Sequence, residues 1–187
     1  MNELPVPIVG FCAWSGTGKT TLLTQLLPLM VARGLKVAVV KHAHHTFDID
    51  HPGKDSYELR EAGASQMLIA SHKRMAHITE FDEGRGEPSL AEALSGLNMQ
   101  NLDLILVEGF KHENYQKIEL HRPQLNKPLF FPDDSNIIAI ASDAPIPENR
   151  NLLPKLNLNN PQQIVQFILD KVVADMPPAT ASSVTQP

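Results

Sequence analysis

The sequence lacks the features that mark secreted, membrane-spanning and nucleic-acid-binding proteins. It has one cysteine, Cys12, so no internal disulfide can form, and its place in an apolar run indicates a small buried side chain. It has no apolar run of transmembrane length and no basic signal-peptide start. Basic residues are not in excess, since 16 Lys and Arg stand against 21 Asp and Glu. These absences favour a cytoplasmic protein that binds neither a membrane nor nucleic acid.

Length and composition fit one folded domain with a short tail. The chain has 187 residues, of which 42% are hydrophobic, and this composition excludes wholesale disorder. Residues 175–187 read DMPPATASSVTQP and show no apolar periodicity, so we expect them to be disordered. The sequence therefore predicts a single nucleotide-binding domain over residues 1–174 and a disordered tail over 175–187.

The nucleotide assignment depends on a glycine-rich loop near the N-terminus. Residues 13–20 read AWSGTGKT and lie between a predicted strand and a predicted amphipathic helix, which is the order of a phosphate-binding P-loop. Gly16 and Gly18 allow the backbone N–H groups to turn toward phosphate oxygens. Lys19 would neutralise the β- and γ-phosphates, and the Thr20 hydroxyl would hold Mg²⁺. The strict pattern begins with Gly where this chain has Ala13, and the alternative interpretation is an ordinary strand-to-helix turn.

The remaining pattern predicts an α/β fold of the P-loop NTPase type, with a mostly parallel β-sheet flanked by helices. Two strand-like runs in the middle of the chain predict a possible β-hairpin extension. Ser89 and Asn160 are predicted helix caps, and Pro28 is expected to kink the first helix. The predicted helices span residues 19–33, 56–62, 90–97 and 161–174, and the predicted strands span residues 8–12, 35–41, 66–71, 75–79, 103–109, 117–121 and 137–141.

An acidic residue at the end of a buried strand is the second element of the predicted site. Glu108 closes the apolar run that begins at Asp103, and Gly109 follows it. In P-loop proteins a carboxylate in this position assists Mg²⁺ or orients the attacking water. The alternative is a strand-end acid that contacts only solvent. We predict that Lys19 and Glu108 carry the catalytic chemistry.

Recognition of the base is predicted less directly. The chain lacks the Asn-Lys-x-Asp pattern by which many GTPases read guanine, because Asn126 and Lys127 are followed by Pro-Leu. Asp143 lies just beyond a late predicted strand, and its carboxylate could accept hydrogen bonds from guanine N1–H and the 2-amino group. The alternative is that Asp143 is only a turn residue before Pro145.

A histidine-rich stretch follows the second predicted strand. A transition metal would prefer three or four fixed imidazoles or thiolates, and a cysteine partner is absent nearby. We expect instead a loop that responds to nucleotide or a partner, in which Asp48 or Asp50 could serve as a second carboxylate near Mg²⁺. Lys41 and Lys54 are candidate phosphate contacts or solvated side chains. The histidines of this stretch are His42, His44, His45 and His51.

Three blocks of sequence resemble the MobB family, the adaptor proteins of molybdopterin-guanine dinucleotide biosynthesis. They read AWSGTGKTTLL at 13–23, VVKHAHHTFDIDHPGKDSYELREAGA at 39–64 and LILVEGFKHE at 104–113. The resemblance covers most of residues 5–170. The second and third blocks are distinctive for the family, whereas the P-loop by itself is not.

The resemblance implies a P-loop GTPase-like fold that binds GTP with Mg²⁺ and hydrolyses it weakly. It further implies a homodimer that contacts a MobA-type guanylyltransferase and molybdenum-insertion proteins. By motif, Thr20 and Glu108 would serve Mg²⁺, and Asp143 would read guanine. The phosphate contacts implied in this way are Ser15, Gly16, Thr17, Gly18, Lys19, Thr20 and Thr21.

Three other functions fit parts of the pattern. A small-molecule kinase would use the histidine-rich loop and Glu108 to hold an acceptor and would prefer ATP. A metal-delivery chaperone would carry its cargo on the histidine-rich loop. A pure binding module would never hydrolyse nucleotide. The only basic residues near the site that could act as an arginine finger are Arg60 and Arg74, and a dimer partner could supply one in trans.

Overall fold

A computed structural model describes residues 4–43, 47–82, 84–146 and 153–174 of the chain. The chain divides into two compact units. The larger unit contains Met1–His42 and Ser89–Pro187, and the smaller unit contains Ala43–Pro88. The predicted tail at 175–187, and His44 and His45 of the histidine-rich stretch, lie outside the described residues. The boundary predicted at residue 174 therefore stays a prediction.

The larger unit is built on a six-stranded sheet whose paired strands are all parallel. Long apolar runs form these strands because both faces of a parallel sheet are covered. The strands are β1 (Ile8–Cys12), β2 (Val37–Lys41), β5 (Leu104–Glu108), β6 (Lys117–His121), β7 (Ile137–Ser142) and β8 (Lys155–Asn157). Their order across the sheet is β2-β5-β1-β6-β7-β8. The predicted α/β class with a mostly parallel sheet is confirmed.

Helices pack on both faces of this sheet. Helices α1 (Lys19–Val31) and α4 (Pro161–Ile168) bury leucine, isoleucine and valine side chains in one apolar cluster. Helix α3 (Leu90–Ser95) buries Leu90 and Leu94 in a second cluster. The opposing faces of the β1 and β5 strands separate the two clusters because successive side chains alternate between the faces of a strand. The P-loop follows β1 and therefore lies at the edge of the sheet where the parallel strands have their carboxyl ends.

The smaller unit contains a helix and a hairpin. Helix α2 (Asp55–Glu61) precedes the antiparallel strands β3 (Gln66–Ala70) and β4 (Met75–Thr79). None of the described hydrophobic side chains of this unit is fully buried. The two paired strands are the hairpin predicted from the two strand-like runs. Much of the apolar surface of this unit is exposed.

Element boundaries differ from the prediction where local chemistry decides them. Helix α1 continues through Pro28 and ends at Val31 rather than at residue 33, because the N–H groups of Arg33 and Gly34 turn back to the Met30 and Val31 carbonyls and Gly34 takes a φ of 83°. Ser89 and Asn160 cap their helices as predicted. The predicted helix over 161–174 is α-helical only to Ile168, and Leu169–Val173 form a π-helical turn. Strand β8 was not predicted, because three residues after a proline carry no periodic signal.

Candidate functional site

The loop between β1 and α1 has the geometry of an anion cradle. Gly16 and Gly18 have φ angles of 81° and 97°, in the left-handed region that favours glycine. Apart from its chain neighbours, no atom lies within 4 Å of the position that a Cβ on Gly16 would take, so the space beside this part of the backbone is open. Thr17 closes the turn by donating its hydroxyl hydrogen bond to the Trp14 carbonyl at 2.7 Å. The loop therefore leaves room for phosphate oxygens beside its backbone.

Helix α1 begins at this loop without a competing cap. No side chain caps its N-terminus, and its first turn contains no acidic residue. The first N–H groups of the helix and its positive dipole end are thus left for a bound anion. Lys19 Nζ lies along the loop and donates to the Ala13 carbonyl at 3.2 Å. Of the predicted phosphate contacts, Ser15, Gly16, Thr17, Gly18, Lys19, Thr20 and Thr21 all lie in this loop or in the first turn of the helix.

The structure brings together two of the residues predicted to hold magnesium, Thr20 and Glu108. Thr20 donates its hydroxyl hydrogen bond to Glu108 Oε1 at 2.9 Å, although 88 residues separate them. They meet because β5 pairs with β1 in parallel, with Phe11 opposite Glu108, so both strands end at the same edge. Lys41, at the end of β2, places its Nζ 3.7 Å from the other Glu108 oxygen. A hydroxyl and a carboxylate are hard oxygen donors of the kind that Mg²⁺ prefers.

Gly109 allows a close approach behind Glu108. Its φ is 97°, and a Cβ at this position would lie 2.6 Å from the Cβ of His42. His42 in turn stacks on the Phe110 ring with centroids 4.6 Å apart. Any other residue at 109 would push His42 and the end of β2 away from Glu108. This packing accounts for the glycine that follows the acid.

Arg122 is a site residue that the sequence reasoning missed. It follows β6 directly, and its Nε donates to the Thr17 carbonyl of the P-loop at 2.9 Å. Its Nη1 donates to Asp143 Oδ2, and its Nη2 lies 3.9 Å from the position that a Cβ on Gly18 would take. Burial lowers the pKa of the adjacent His121, so at neutral pH the positive charge here belongs to Arg122. The signal available in the sequence was a basic residue at a strand end.

Asp143 is placed beyond β7, as predicted, and contacts the P-loop through Arg122. Its side chain is 13% exposed and forms an ion pair with Arg122. Strands β6 and β7 are paired with His121 opposite Ser142, which sets the two charged residues side by side. The carboxylate has a second oxygen that remains able to accept from a base. The guanine-reading role of Asp143 stays a prediction.

Asp48 lies in the smaller unit and forms an ion pair with Arg60 at 3.0 Å. Arg60 also pairs with Asp50 and Glu80, at 2.9 and 2.6 Å, and only 9% of its side chain is exposed. Hydrogen bonding from Arg60 lowers the pKa of Asp50. Arg60 is therefore committed to three carboxylates inside this unit. The predicted role of Asp48 toward Mg²⁺ stays a prediction.

Two of the four histidines in the histidine-rich stretch can be placed. His42 stacks on Phe110 in the larger unit, and His51 is exposed in the smaller unit. Among residues 4–43, 47–82, 84–146 and 153–174, no cluster of three or more His, Cys, Asp or Glu could hold a metal ion. Within the same ranges no helix has the length and apolar character needed to cross a membrane.

Comparison with known proteins identifies relatives along most of the chain. A family described as "MobB: Molybdopterin guanine dinucleotide synthesis protein B" matches residues 8–143. A molybdopterin-guanine dinucleotide biosynthesis adapter protein from Escherichia coli K12 is 45% identical over 167 residues, covering 88% of this chain and 93% of the relative. A protein of the same description from Haemophilus influenzae is 41% identical over 164 residues, covering 87% and 88%.

Solved structures share the fold. A crystal structure of molybdopterin-guanine biosynthesis protein B aligns with a TM-score of 0.65 at 26% identity, covering 87% of this chain and 98% of the other. The crystal structure of Bacillus subtilis MobB aligns with a TM-score of 0.66 at 25% identity, covering 89% and 98%. The alignments include almost the whole of each solved chain.

Proposed function

Because the chain belongs to the MobB family of molybdopterin guanine dinucleotide synthesis proteins, we propose that its P-loop binds GTP with Mg²⁺ and hydrolyses it slowly. Its role is that of an adaptor in the biosynthesis of the molybdenum cofactor. The observation that carries the nucleotide proposal is the 2.9 Å hydrogen bond between Thr20 and Glu108 beside an open glycine-rich loop. The partners that we propose are a MobA-type guanylyltransferase and molybdenum-insertion proteins.

Thr20 and Glu108 would hold Mg²⁺, either directly or through water. When bound, the ion would neutralise charge on the β- and γ-phosphate oxygens. The Lys41 ammonium group lies 3.7 Å from the Glu108 carboxylate and adds a positive charge at this edge of the sheet. Lys19 and the first N–H groups of α1 would bind the phosphates themselves.

Slow hydrolysis is supported by the way in which two arginines, Arg60 and Arg122, are held. Arg60 is held by three carboxylates in the smaller unit, and Arg122 is held by the Thr17 carbonyl and Asp143. A guanidinium that supplies transition-state charge must be able to reach the γ-phosphate, and such an arginine accelerates hydrolysis by about 10³–10⁵-fold. With Arg60 and Arg122 held in this way, we expect turnover that suits a switch rather than a metabolic enzyme.

The first test is calorimetric titration of the full chain with GTP and with ATP, each with and without Mg²⁺. We expect saturable GTP binding that is tightened by Mg²⁺ and is clearly stronger than ATP binding. Equal or stronger ATP binding would contradict the proposal and favour the kinase alternative, for which acceptor-dependent turnover would then be measured. Absence of binding by either nucleotide would contradict the P-loop assignment.

Replacing Asp143 with asparagine is expected to reduce the preference for GTP over ATP by about tenfold. An amide cannot accept both hydrogen bonds from N1–H and the 2-amino group of guanine, and lost charge-assisted bonds are worth about 1.5–3 kcal/mol. The measurement is the ratio of GTP and ATP dissociation constants by calorimetry. Asp170→Asn, an exposed change in the C-terminal π-helical turn, is the matched control.

The same experiment separates base reading from loop positioning. If Asp143 acts only by holding Arg122, Asp143→Asn will weaken GTP and ATP equally, and Arg122→Gln will reproduce that loss. A constant GTP-to-ATP ratio in both variants would therefore contradict a guanine contact at Asp143.

We propose that the protein is a homodimer, with the hairpin unit as its association surface. Large apolar side chains of this unit are exposed, and soluble monomers rarely expose such surface. The two-stranded hairpin also has unpaired edges that a second copy could cover. The most exposed of these side chains are Phe47, Leu59, Leu68, Met75 and Phe81.

Replacing Leu68 with aspartate is expected to weaken dimerisation at least about tenfold. Leu68 is 59% exposed, so the change costs the monomer little, whereas a charge buried at an apolar interface is unfavourable. Sedimentation velocity over a concentration series gives the dimer dissociation constant. Lys171→Asp, an exposed change in the C-terminal π-helical turn of the larger unit, should leave the constant unchanged. A wild-type protein that sediments as a monomer would contradict the proposal, as would a Leu68→Asp variant that stays dimeric.

A further inference from the structure

A cavity of about 520 Å³ lies beside the P-loop in the larger unit. Cys12 and Lys117, from strands β1 and β6, line its floor, and its walls come from the loops at 111–114 and 128–136. Burial raises the pKa of the Cys12 thiol to about 12, so it stays protonated and contributes a neutral surface. The volume is within the range of small-molecule sites. None of the residues assigned to Mg²⁺ or to the phosphates lines this cavity.

The walls of the cavity are fixed by buried charged residues. Lys117 is 1% exposed, and its Nζ donates to the Glu113 carbonyl at 2.6 Å and to Asp134 Oδ2 at 2.9 Å, which joins the two walls. Glu119 is fully buried, and its carboxylate accepts from the N–H groups of Phe130 and Phe131 at 2.8 and 3.0 Å. Burying a charged group costs free energy, and well-packed apolar residues at the same positions would often give a fold of equal stability. The use of charged residues to hold a surface loop therefore favours a preformed site.

One residue belongs both to the P-loop and to the cavity. Trp14 lies between Ala13 and Ser15, and its indole N–H donates to the Pro128 carbonyl at 2.8 Å. Its ring stacks on Phe130 with centroids 4.8 Å apart and an interplanar angle of 22°. A ligand in the cavity would therefore contact the same loop that contacts a bound nucleotide.

The lining matches a flat heterocycle that carries an anionic group. Trp14 and Phe130 provide aromatic surface, and the Lys111 ammonium lies 5.9 Å from the centre of the Phe130 ring. His112 adds an exposed imidazole beside Lys111, with ring nitrogens that can form hydrogen bonds to a phosphate. Donors and acceptors for ring nitrogens and a carbonyl come from Asn114, Asp133, Ser135 and Asn136. Lysine is a common phosphate-binding residue because it acts as a strong point charge.

We propose that this cavity binds a phosphorylated, pterin-type heterocycle next to the nucleotide in the P-loop. Aromatic surface would contact the ring system, the polar residues of the 128–136 loop would pair with its amino and carbonyl edge, and Lys111 with His112 would hold the phosphate. The choice of a pterin over other flat anions rests on the proposed function. Such an adaptor would hold both halves of the guanine dinucleotide close together, while the joining reaction would belong to a partner enzyme.

The test uses Trp14, the single tryptophan of the chain, as an intrinsic probe. The full-length protein is titrated with 6-carboxypterin, whose carboxylate stands in for the phosphate, and tryptophan emission is corrected with free N-acetyltryptophanamide. Phenyl phosphate is titrated as an anion without a pterin ring. Each titration is repeated at saturating GTP and Mg²⁺. The variants are Lys111→Gln and Ser135→Phe, both at exposed positions, with Lys171→Gln as the exposed control.

We expect saturable quenching by 6-carboxypterin that is unchanged by GTP and by Lys171→Gln. Lys111→Gln removes the cation, and Ser135→Phe fills the cavity, so each should weaken pterin binding about tenfold or more. Unsaturable quenching, equal binding of phenyl phosphate, or full affinity in both cavity variants would overturn the assignment. Displacement by GTP would overturn it too, because the cavity would then be the base site of the nucleotide. Calorimetric titration with GTP tests the P-loop proposal separately from the cavity proposal. If GTP binds but the pterin does not, only the cavity assignment is overturned.

Discussion

Replacing Lys19 with alanine is expected to weaken GTP binding more than a hundredfold and to abolish hydrolysis. The ammonium group lies along the P-loop, where it contacts the Ala13 carbonyl at 3.2 Å and can turn to the β- and γ-phosphates. Two charge-assisted hydrogen bonds to phosphate would contribute about 3 kcal/mol of binding free energy after a discount for residual solvation. Because 1.4 kcal/mol corresponds to a factor of ten in affinity, their loss corresponds to more than about a hundredfold. Calorimetry gives the affinity, and phosphate release under saturating GTP gives the rate.

The control variant must retain the fold and must remove one positive charge, as Lys19→Ala does. Lys171→Ala removes an exposed lysine from the C-terminal π-helical turn and should leave GTP binding unchanged. The Lys19→Ala protein should keep the far-ultraviolet circular dichroism of the wild type, because the Lys19 hydrogen bond to Ala13 is a single partly buried contact. Unaltered GTP affinity in a folded Lys19→Ala protein would contradict phosphate binding by this loop.

Replacing Lys117 with methionine is expected to lower the free energy of unfolding by about 3 kcal/mol. The Lys117 side chain is 1% exposed, and that of its partner Asp134 is 22% exposed. Methionine fills the space of the lysine stem, but the Asp134 carboxylate and the Glu113 carbonyl lose their donor. Breaking a buried pair in this way costs about 3–5 kcal/mol, and the partial exposure of Asp134 favours the lower end. Urea denaturation at pH 7 measures the change.

A double substitution tests whether the loss comes from the pair. In Lys117→Met/Asp134→Asn the unpaired charge is gone, and the side chain of residue 134 can still accept from the Asn136 backbone N–H. We expect the double variant to be at least about 1 kcal/mol more stable than Lys117→Met. Equal stability of Lys117→Met and the wild type would show that this pair does not hold the two cavity walls together.

The pH dependence of the Lys117 effect has a definite sign. Burial by itself would raise the pKa of Asp134, but hydrogen bonds from Lys117 and Asn136 outweigh it, and the pKa lies below the usual 3.8. A carboxyl whose pKa is lowered by folding stabilises the protein above its unfolded pKa and loses that contribution as the pH falls through the folded value. The stability difference between wild type and Lys117→Met should therefore be complete at neutral pH and should shrink below about pH 4.

Much of the fold could be predicted because its signals are local. Apolar runs bounded by Gly, Pro and polar residues marked the β1, β5, β6 and β7 strands within one or two residues. Side-chain caps at Ser89 and Asn160 are short-range hydrogen bonds that residue type alone suggests. Strand β8 and the π-helical turn after α4 escaped prediction, since both depend on packing rather than on a repeating pattern.

The P-loop and its acidic partner were also accessible from the sequence. Gly16, Gly18, Lys19 and Thr20 occur in one short segment whose chemistry requires those residue types. Glu108 was found because a carboxylate at the end of a buried parallel strand reaches the same sheet edge as the P-loop. The distance of 2.9 Å between Thr20 and Glu108 agrees with that reasoning.

The sequence by itself determined the α/β class, the phosphate loop and the acid that faces it, because each is encoded by neighbouring residues or by a strand end. Only the tertiary structure decided that Arg122 joins Thr17 to Asp143, and that Lys117 and Glu119 hold two loops around a cavity next to Trp14. These interactions connect residues that are up to 105 positions apart, as Arg122 and Thr17 are. They depend on which strands become neighbours, and the order β1-β6-β7 within the sheet is set by the packing of the whole unit.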